Sequence, residues 1–219
     1  MDTPRILTYH PDPPSMLDPK QHWENIYRNR SPEEVSWYQA NPQPSLALIK
    51  SSGVDPAAPI IDIGGGASRL IDQLLLNGYT DLSVLDISAT ALSHARQRLG
   101  KDSPRVEWIE SDITRFEPQR GYALWHDRAV FHFLTGAADR ERYAAALRQA
   151  LPSGGQLILA SFAIGGPTQC SGLDVVQYDS EKLLDALGAG FELIETHNDD
   201  HLTPARAIQA FQYFRLVKR

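Results

Sequence analysis

Residues 59–68 read Pro59-Ile60-Ile61-Asp62-Ile63-Gly64-Gly65-Gly66-Ala67-Ser68. A short apolar run carrying one acid ends in three glycines, and apolar residues at helical spacing follow over Ser68–Leu76. That order is strand, tight turn, helix. Glycine suits such a turn because it accepts positive φ and lets a ligand touch the backbone.

The alternation continues outward from this stretch. Leu82–Leu85 predicts a strand ending at Asp86, and Ser88–Leu99 a helix capped by Ser88 and closed by Gly100. Val106–Ile109 predicts a third strand ending near Asp112, and Tyr122–Trp125 a fourth. Asp139–Leu151 predicts a helix, Gln156–Phe162 a fifth strand, and Ser180–Leu187 a helix capped by Ser180. Phe191–His197 and Ile208–Val217 are two final strand-like runs. Strands alternating with helices predict an α/β fold whose parallel sheet is covered on both faces.

The first 59 residues differ. They hold ten of the fifteen prolines and stand outside the alternation. Residues 1–18 read as an extended arm. Residues 19–30 read as a helix capped by Asp18, with Trp23, Ile26 and Tyr27 on one face. Ser31–Asn41 is a loop carrying Val35, Trp37 and Tyr38, and Ser45–Ser51 a second helix. The expected division is an arm and helical lid over 1–57 and a ligand-binding domain over 58–219.

Composition narrows the function. One cysteine, Cys170, excludes a disulfide framework and a cysteine-rich zinc site. A net charge of −6 gives no broad basic footprint for nucleic acid. No apolar run approaches the ~20 residues that span a bilayer. No export signal opens the chain, so the expected location is the cytoplasm. The histidines show no metal-ligand spacing, and His197, Asp199, Asp200 and His201 read as a solvated hairpin.

Two ligand classes fit the glycine turn. In a dinucleotide loop, Gly64 and Gly66 match the first two glycines, but Arg69 stands where the third should permit close helix–strand packing. S-adenosylmethionine (SAM) has no phosphates and needs only a close backbone surface with polar anchors. Asp86 ends the second strand, where a carboxylate can accept from both ribose hydroxyls in either class. Asp112 discriminates, because an acid after the third strand can accept from the adenine amine while Ile113 packs on the ring. Asp62, Asp86 and Asp112 thus line one carboxyl edge of the sheet, where open α/β sheets bind ligands.

On these residues, with Leu151-Pro152-Ser153-Gly154-Gly155 before the fifth strand, the chain resembles class I SAM-dependent methyltransferases over about residues 58–217. The family loop usually has glycine where Ser68 stands. The resemblance implies a Rossmann-like seven-stranded sheet of order 3-2-1-4-5-7-6, the last strand antiparallel. It implies SAM as cofactor and S-adenosylhomocysteine as product. Asp62, Gly64, Gly65, Gly66, Ala67, Asp86, Ile87, Asp112, Ile113, His126 and Trp37 are the expected cofactor residues.

Trp125-His126-Asp127-Arg128-Ala129-Val130-Phe131-His132-Phe133-Leu134 is similar to the region after strand four of small bacterial methyltransferases. This places His126, Asp127 and Arg128 as the candidate catalytic group. His126 would act as a base or adenosine contact, and Asp127 and Arg128 would orient the methionine end or an anionic acceptor. Trp23, Tyr27, Trp37 and Tyr38 are candidate lid residues, and Cys170 a candidate pocket residue. The expected activity is methyl transfer to a small-molecule acceptor. A protein side chain is the alternative acceptor, and an NAD-type nucleotide-binding protein the remaining one.

Overall fold

A computed structural model describes residues 18–219. The expected arm over residues 1–18 lies almost wholly outside them. The chain first forms α1 (Pro19–Asn29) and α2 (Gln43–Ser51). Asp18 caps α1 by accepting from the Lys20 amide at 3.0 Å.

The sheet then builds from β1 (Ile60–Ile63), β2 (Leu82–Asp86), β3 (Val106–Glu110), β4 (Leu124–Arg128), β5 (Gln156–Phe162), β6 (Phe191–Leu202) and β7 (Ile208–Lys218). Helices α3 (Leu70–Leu76), α4 (Ala89–Leu99), α5 (Ala137–Ala150) and α6 (Ser180–Leu187) fill the connections. The strand order is β3-β2-β1-β4-β5-β7-β6. The first five strands pair in parallel, and β7 runs antiparallel to both β5 and β6. A two-residue hairpin, Gln169–Cys170 with Leu173–Asp174, follows β5.

Each face of the sheet buries its own core. On one face Trp125, Leu157, Leu159 and Phe214 pack against Tyr143 and Leu147 of α5 and Leu183 of α6. On the other Leu124, Ile158, Ala160 and Tyr213 pack against Leu48 and Ile49 of α2 and Leu70 and Leu74 of α3. Strand residues alternate between these faces, as a period of two requires. The first helices are therefore part of the packed structure: α2 is in the core, and Tyr27 of α1 packs with Ala67 and Ala91.

Several boundaries differ from expectation for identifiable reasons. β4 lies over Leu124–Arg128, beyond the expected Tyr122–Trp125, because β1 and β5 pair with it on both sides. β6 continues past His197 to Leu202 because β7 pairs with it as far as Ile208. α3 begins at Leu70, since the Ser68 hydroxyl accepts from the Leu70 amide at 3.0 Å and turns the chain first. Asp179, one residue before Ser180, caps α6, its carboxylate accepting from the Lys182 amide at 2.9 Å.

Candidate functional site

A cavity of about 430 Å³ opens at the carboxyl edge of the sheet. That size suits a small organic ligand. Its floor comes from Ile63 and Gly64 after β1, Leu85–Ile87 after β2, and Ser111–Thr114 after β3. Arg128–Val130, Phe162 and Phe211 continue the wall beyond β4. Pro19, Trp23 and Tyr27 of α1 and Trp37 of the following loop also line it.

The glycine turn is built around two acids. Gly64 has φ +66°, and a Cβ there would lie 2.1 Å from Val130 Cγ2. A Cβ on Gly66 would lie 2.7 Å from Asp86 Oδ2, and one on Gly65 2.2 Å from Asp62 Oδ2. The turn needs glycine because carboxylates and the β4 loop already fill that space. Asp86 Oδ2 accepts from the Gly66 amide at 3.0 Å and Oδ1 from the Ser88 amide at 2.9 Å. Asp86 is buried, and burial pushes its carboxyl up to about 6 despite these two amides. Asp112 caps a short 3-10 turn through the Thr114 amide at 2.8 Å, with Ile113 buried beside it.

Asp62 sits behind the turn. Its Oδ1 is 2.6 Å from His126 Nδ1, and His126 Nε2 is 2.8 Å from Ser45 Oγ. All three residues are buried, and Asp62 Oδ2 has no partner. The series Ser45–His126–Asp62 has the residue types of a nucleophile relay, yet Ser45 is fully buried. Only a pocket of about 40 Å³ adjoins it, too small for a substrate. The relay ties α2 to the glycine turn.

The structure separates the three candidate catalytic residues. His126 and Arg128 lie on the α2 side of β4, while Asp127 lies on the α5 side. Asp127 is fully buried and reaches neither cavity. Its Oδ2 accepts from the Tyr143 hydroxyl at 2.7 Å and its Oδ1 from the Val130 amide at 3.0 Å. Burial raises its carboxyl to about 6. It braces the β4 loop from outside both cavities, away from the cavity position expected of a catalytic group. His126 lines only the smaller pocket, so a base acting in the main cavity is also not its place. Arg128 lines both.

The other expected cofactor residues divide in the same way. Gly64, Asp86, Ile87, Asp112, Ile113 and Trp37 line the main cavity, whereas Asp62, Gly65 and Ala67 line only the smaller one. Gly66 faces neither, and its amide is spent on Asp86. Cys170 lines the main cavity, where burial pushes its thiol up. His201, expected on a solvated hairpin, is buried with Nε2 2.8 Å from the Ser36 carbonyl. Among the described residues no group of His, Cys, Asp and Glu is placed to hold a metal, and no helix is long and apolar enough to cross a membrane.

Aromatic rings of α1 and the following loop pack together in the cavity wall. Trp23 packs edge-on against Trp37 at 5.7 Å and against Phe133 at 5.0 Å, and Tyr27 against Trp37 at 6.2 Å. Tyr38 lines the smaller pocket instead. Glu24 anchors α1 by accepting from the Thr90 amide and hydroxyl at the start of α4. Sequence reading missed Ser45, Tyr143, Tyr213 and Glu24. Glu24 stands beside the aromatic stripe of α1, and that position was its only signal.

The family model for a methyltransferase domain matches residues 60–155. The eEF1A lysine and N-terminal methyltransferase of Danio rerio is 26% identical over 146 residues, covering 65% of this chain and 21% of that protein. The chain thus spans about a fifth of the length of the curated relatives it matches first. Among solved structures, a SAM-dependent methyltransferase from Anabaena variabilis superposes with a TM-score of 0.70 at 16% identity, covering 93% of this chain and 96% of that one. The N-methyltransferase NodS from Bradyrhizobium japonicum, in complex with S-adenosylhomocysteine, gives 0.63 at 18% identity, covering 82% and 89%.

Proposed function

We propose that this chain, a class I SAM-dependent methyltransferase, transfers the methyl group to a small-molecule acceptor. One observation carries this reading. Trp23, Tyr27 and Trp37 pack on one another and line the cavity at the sheet edge, so the protein's own side chains would enclose the acceptor. A cavity so enclosed admits a small solute more readily than a folded protein surface.

The residues present fit the cofactor. Asp86 would take the ribose hydroxyls: it lines the cavity, and each of its oxygens accepts from only one backbone amide, which leaves acceptor capacity. Asp112 and Ile113, in the lining after β3, would take the adenine. Gly64 brings bare backbone to the ligand, with Asp62 and His126 holding the turn from behind. SAM supplies an electrophilic methyl on a sulfonium and leaves as neutral S-adenosylhomocysteine.

The chemistry that bound SAM would supply is displacement at that methyl, with the sulfur as leaving group and the acceptor as nucleophile. The protein's share is alignment and exclusion of water. Among the described residues the cavity offers no histidine as a base. Its titratable lining is instead Asp86, Asp112, Asp139, Asp174, Cys170 and Tyr27, so a protonated acceptor would lose its proton to one of these or to solvent.

Radiolabelled SAM incubated with cell lysate and this protein tests the reading. Label is expected in the small-solute fraction. Label confined to protein would refute it and favour the second reading, a protein side chain, which the similarity to an eEF1A lysine methyltransferase supports.

A further inference from the structure

Arg128 ends β4 and reaches toward β7. Its Nε donates to the Tyr213 hydroxyl at 2.8 Å and its Nη1 to the Trp37 carbonyl at 2.9 Å. The guanidinium lies 4.4 Å from the Phe211 ring centroid. Nη2 is buried and has no partner. Among the described residues no carboxylate forms an ion pair with it. All neutral partners, no counter-ion and a place in the cavity wall leave this cation short of one anion.

The acids of the cavity do not supply it. Asp86 and Asp112 hold backbone amides at the β2 and β3 end. Asp139 pairs with Arg142. Asp174 is exposed and accepts from Gln169. Burial lowers His132, after β4, and His201, on β6, and the nearby Arg128 charge lowers both further, while it works weakly against the burial that raises Cys170 after β5. Those groups lie on the side away from the ribose and adenine residues.

We infer that Arg128 anchors the acceptor, and that the acceptor is a small carboxylate with an apolar body. This rests on the small-molecule reading above. Two of its three nitrogens are clamped, so the free one offers a fixed direction to a single anionic group. One unit of negative charge balances one guanidinium, which favours a carboxylate over a doubly charged phosphate. Phe133, Phe162 and Phe211 in the same wall demand an apolar remainder.

The carboxylate of SAM itself has the same chemistry, so the experiment carries two arms. In the first, protein saturated with S-adenosylhomocysteine is titrated with benzoate, phenylacetate and butyrate, each against its amide. Binding is read from tryptophan fluorescence. At least one acid is expected to bind fivefold or more tighter than its amide, and Arg128→Met to abolish that preference. No preference of this size for any acid, or a preference surviving Arg128→Met, overturns the proposal.

In the second arm S-adenosylhomocysteine and 5′-methylthioadenosine, which lacks the amino-acid carboxylate, are bound to wild type and Arg128→Met. A loss of fivefold or more confined to S-adenosylhomocysteine assigns Arg128 to the cofactor and overturns the proposal. A smaller change supports it. Should Arg128→Met fail to fold, Arg128→Lys keeps the charge and is expected to keep the acid preference. In that case Arg128→Gln, which keeps a hydrogen-bonding side chain but no charge, takes the place of Arg128→Met with the same expected loss, and a preference surviving it overturns the proposal. Failure of S-adenosylhomocysteine to bind wild type would instead strike at the methyltransferase reading.

Discussion

Cofactor affinity should depend on the ionisation of Asp86. The carboxylate is buried, and both oxygens already hold backbone amides, from Gly66 at 3.0 Å and Ser88 at 2.9 Å. Burial moves its carboxyl up to about 6. Ribose hydroxyls are donors to the ionised form, so binding and ionisation are linked. At pH 5, one unit below that value, about a tenth of the protein is ionised, and affinity should fall about tenfold from its plateau. The plateau is reached by about pH 8, two units above the folded pKa. In Asp86→Asn the charge is gone. Charge-assisted bonds contribute about 1.5–3 kcal/mol each, so two of them predict a loss of at least about a hundredfold with no remaining pH dependence from this group. Calorimetric titration with S-adenosylhomocysteine from pH 5 to pH 8 measures both. A wild-type dissociation constant flat across the window, or an Asp86→Asn constant within threefold of wild type, would refute the argument. The stability linkage has the opposite sense. The folded pKa is raised, so this group's contribution to the unliganded fold is full below about pH 4 and is lost as pH rises through about 6.

Gly66→Ala puts a Cβ 2.7 Å from both Asp86 Oδ2 and Ala91 Cβ, so it should displace the ribose acid and abolish measurable cofactor binding by calorimetry. Ser45→Ala removes a buried partner of His126 and should cost about 1–3 kcal/mol in urea denaturation. His126→Ala leaves the Asp62 carboxylate buried without any partner and should cost more, about 3–5 kcal/mol. Equal losses from the two would count against the relay. Tyr143→Phe strips one donor from Asp127 and the acceptor of the Trp125 indole. It should lower stability by about 1–3 kcal/mol while the affinity for S-adenosylhomocysteine holds, since neither residue lines the cavity.

Pattern at short range made much of the molecule readable. The run Ile60–Gly66, the acids at the end of β2 and after β3, and apolar alternation placed seven strands along the chain, and the resemblance to class I methyltransferases implied the order that the sheet has. Asp86 and Asp112 were legible because a strand end fixes a residue at the ligand edge whatever its neighbours do. His126-Asp127-Arg128 was not legible as strand, since three polar residues in a row carry no apolar period. They are strand because β1 and β5 pair with the segment on both sides, and their polar groups are met by Ser45, Tyr143 and Tyr213, distant in sequence.

By itself, then, the sequence determined the order of elements and which edge of the sheet carries the acids, because turns, caps and periodicity act over a few residues. It also singled out the first helices by their prolines. Only the tertiary structure decided that α2 belongs to the core, that Asp127 points away from the cavity, and that Arg128 stands in its wall without a counter-ion among the described residues. Those outcomes depend on which side chains from remote elements arrive at the same place to satisfy a buried charge, and no local pattern encodes that meeting.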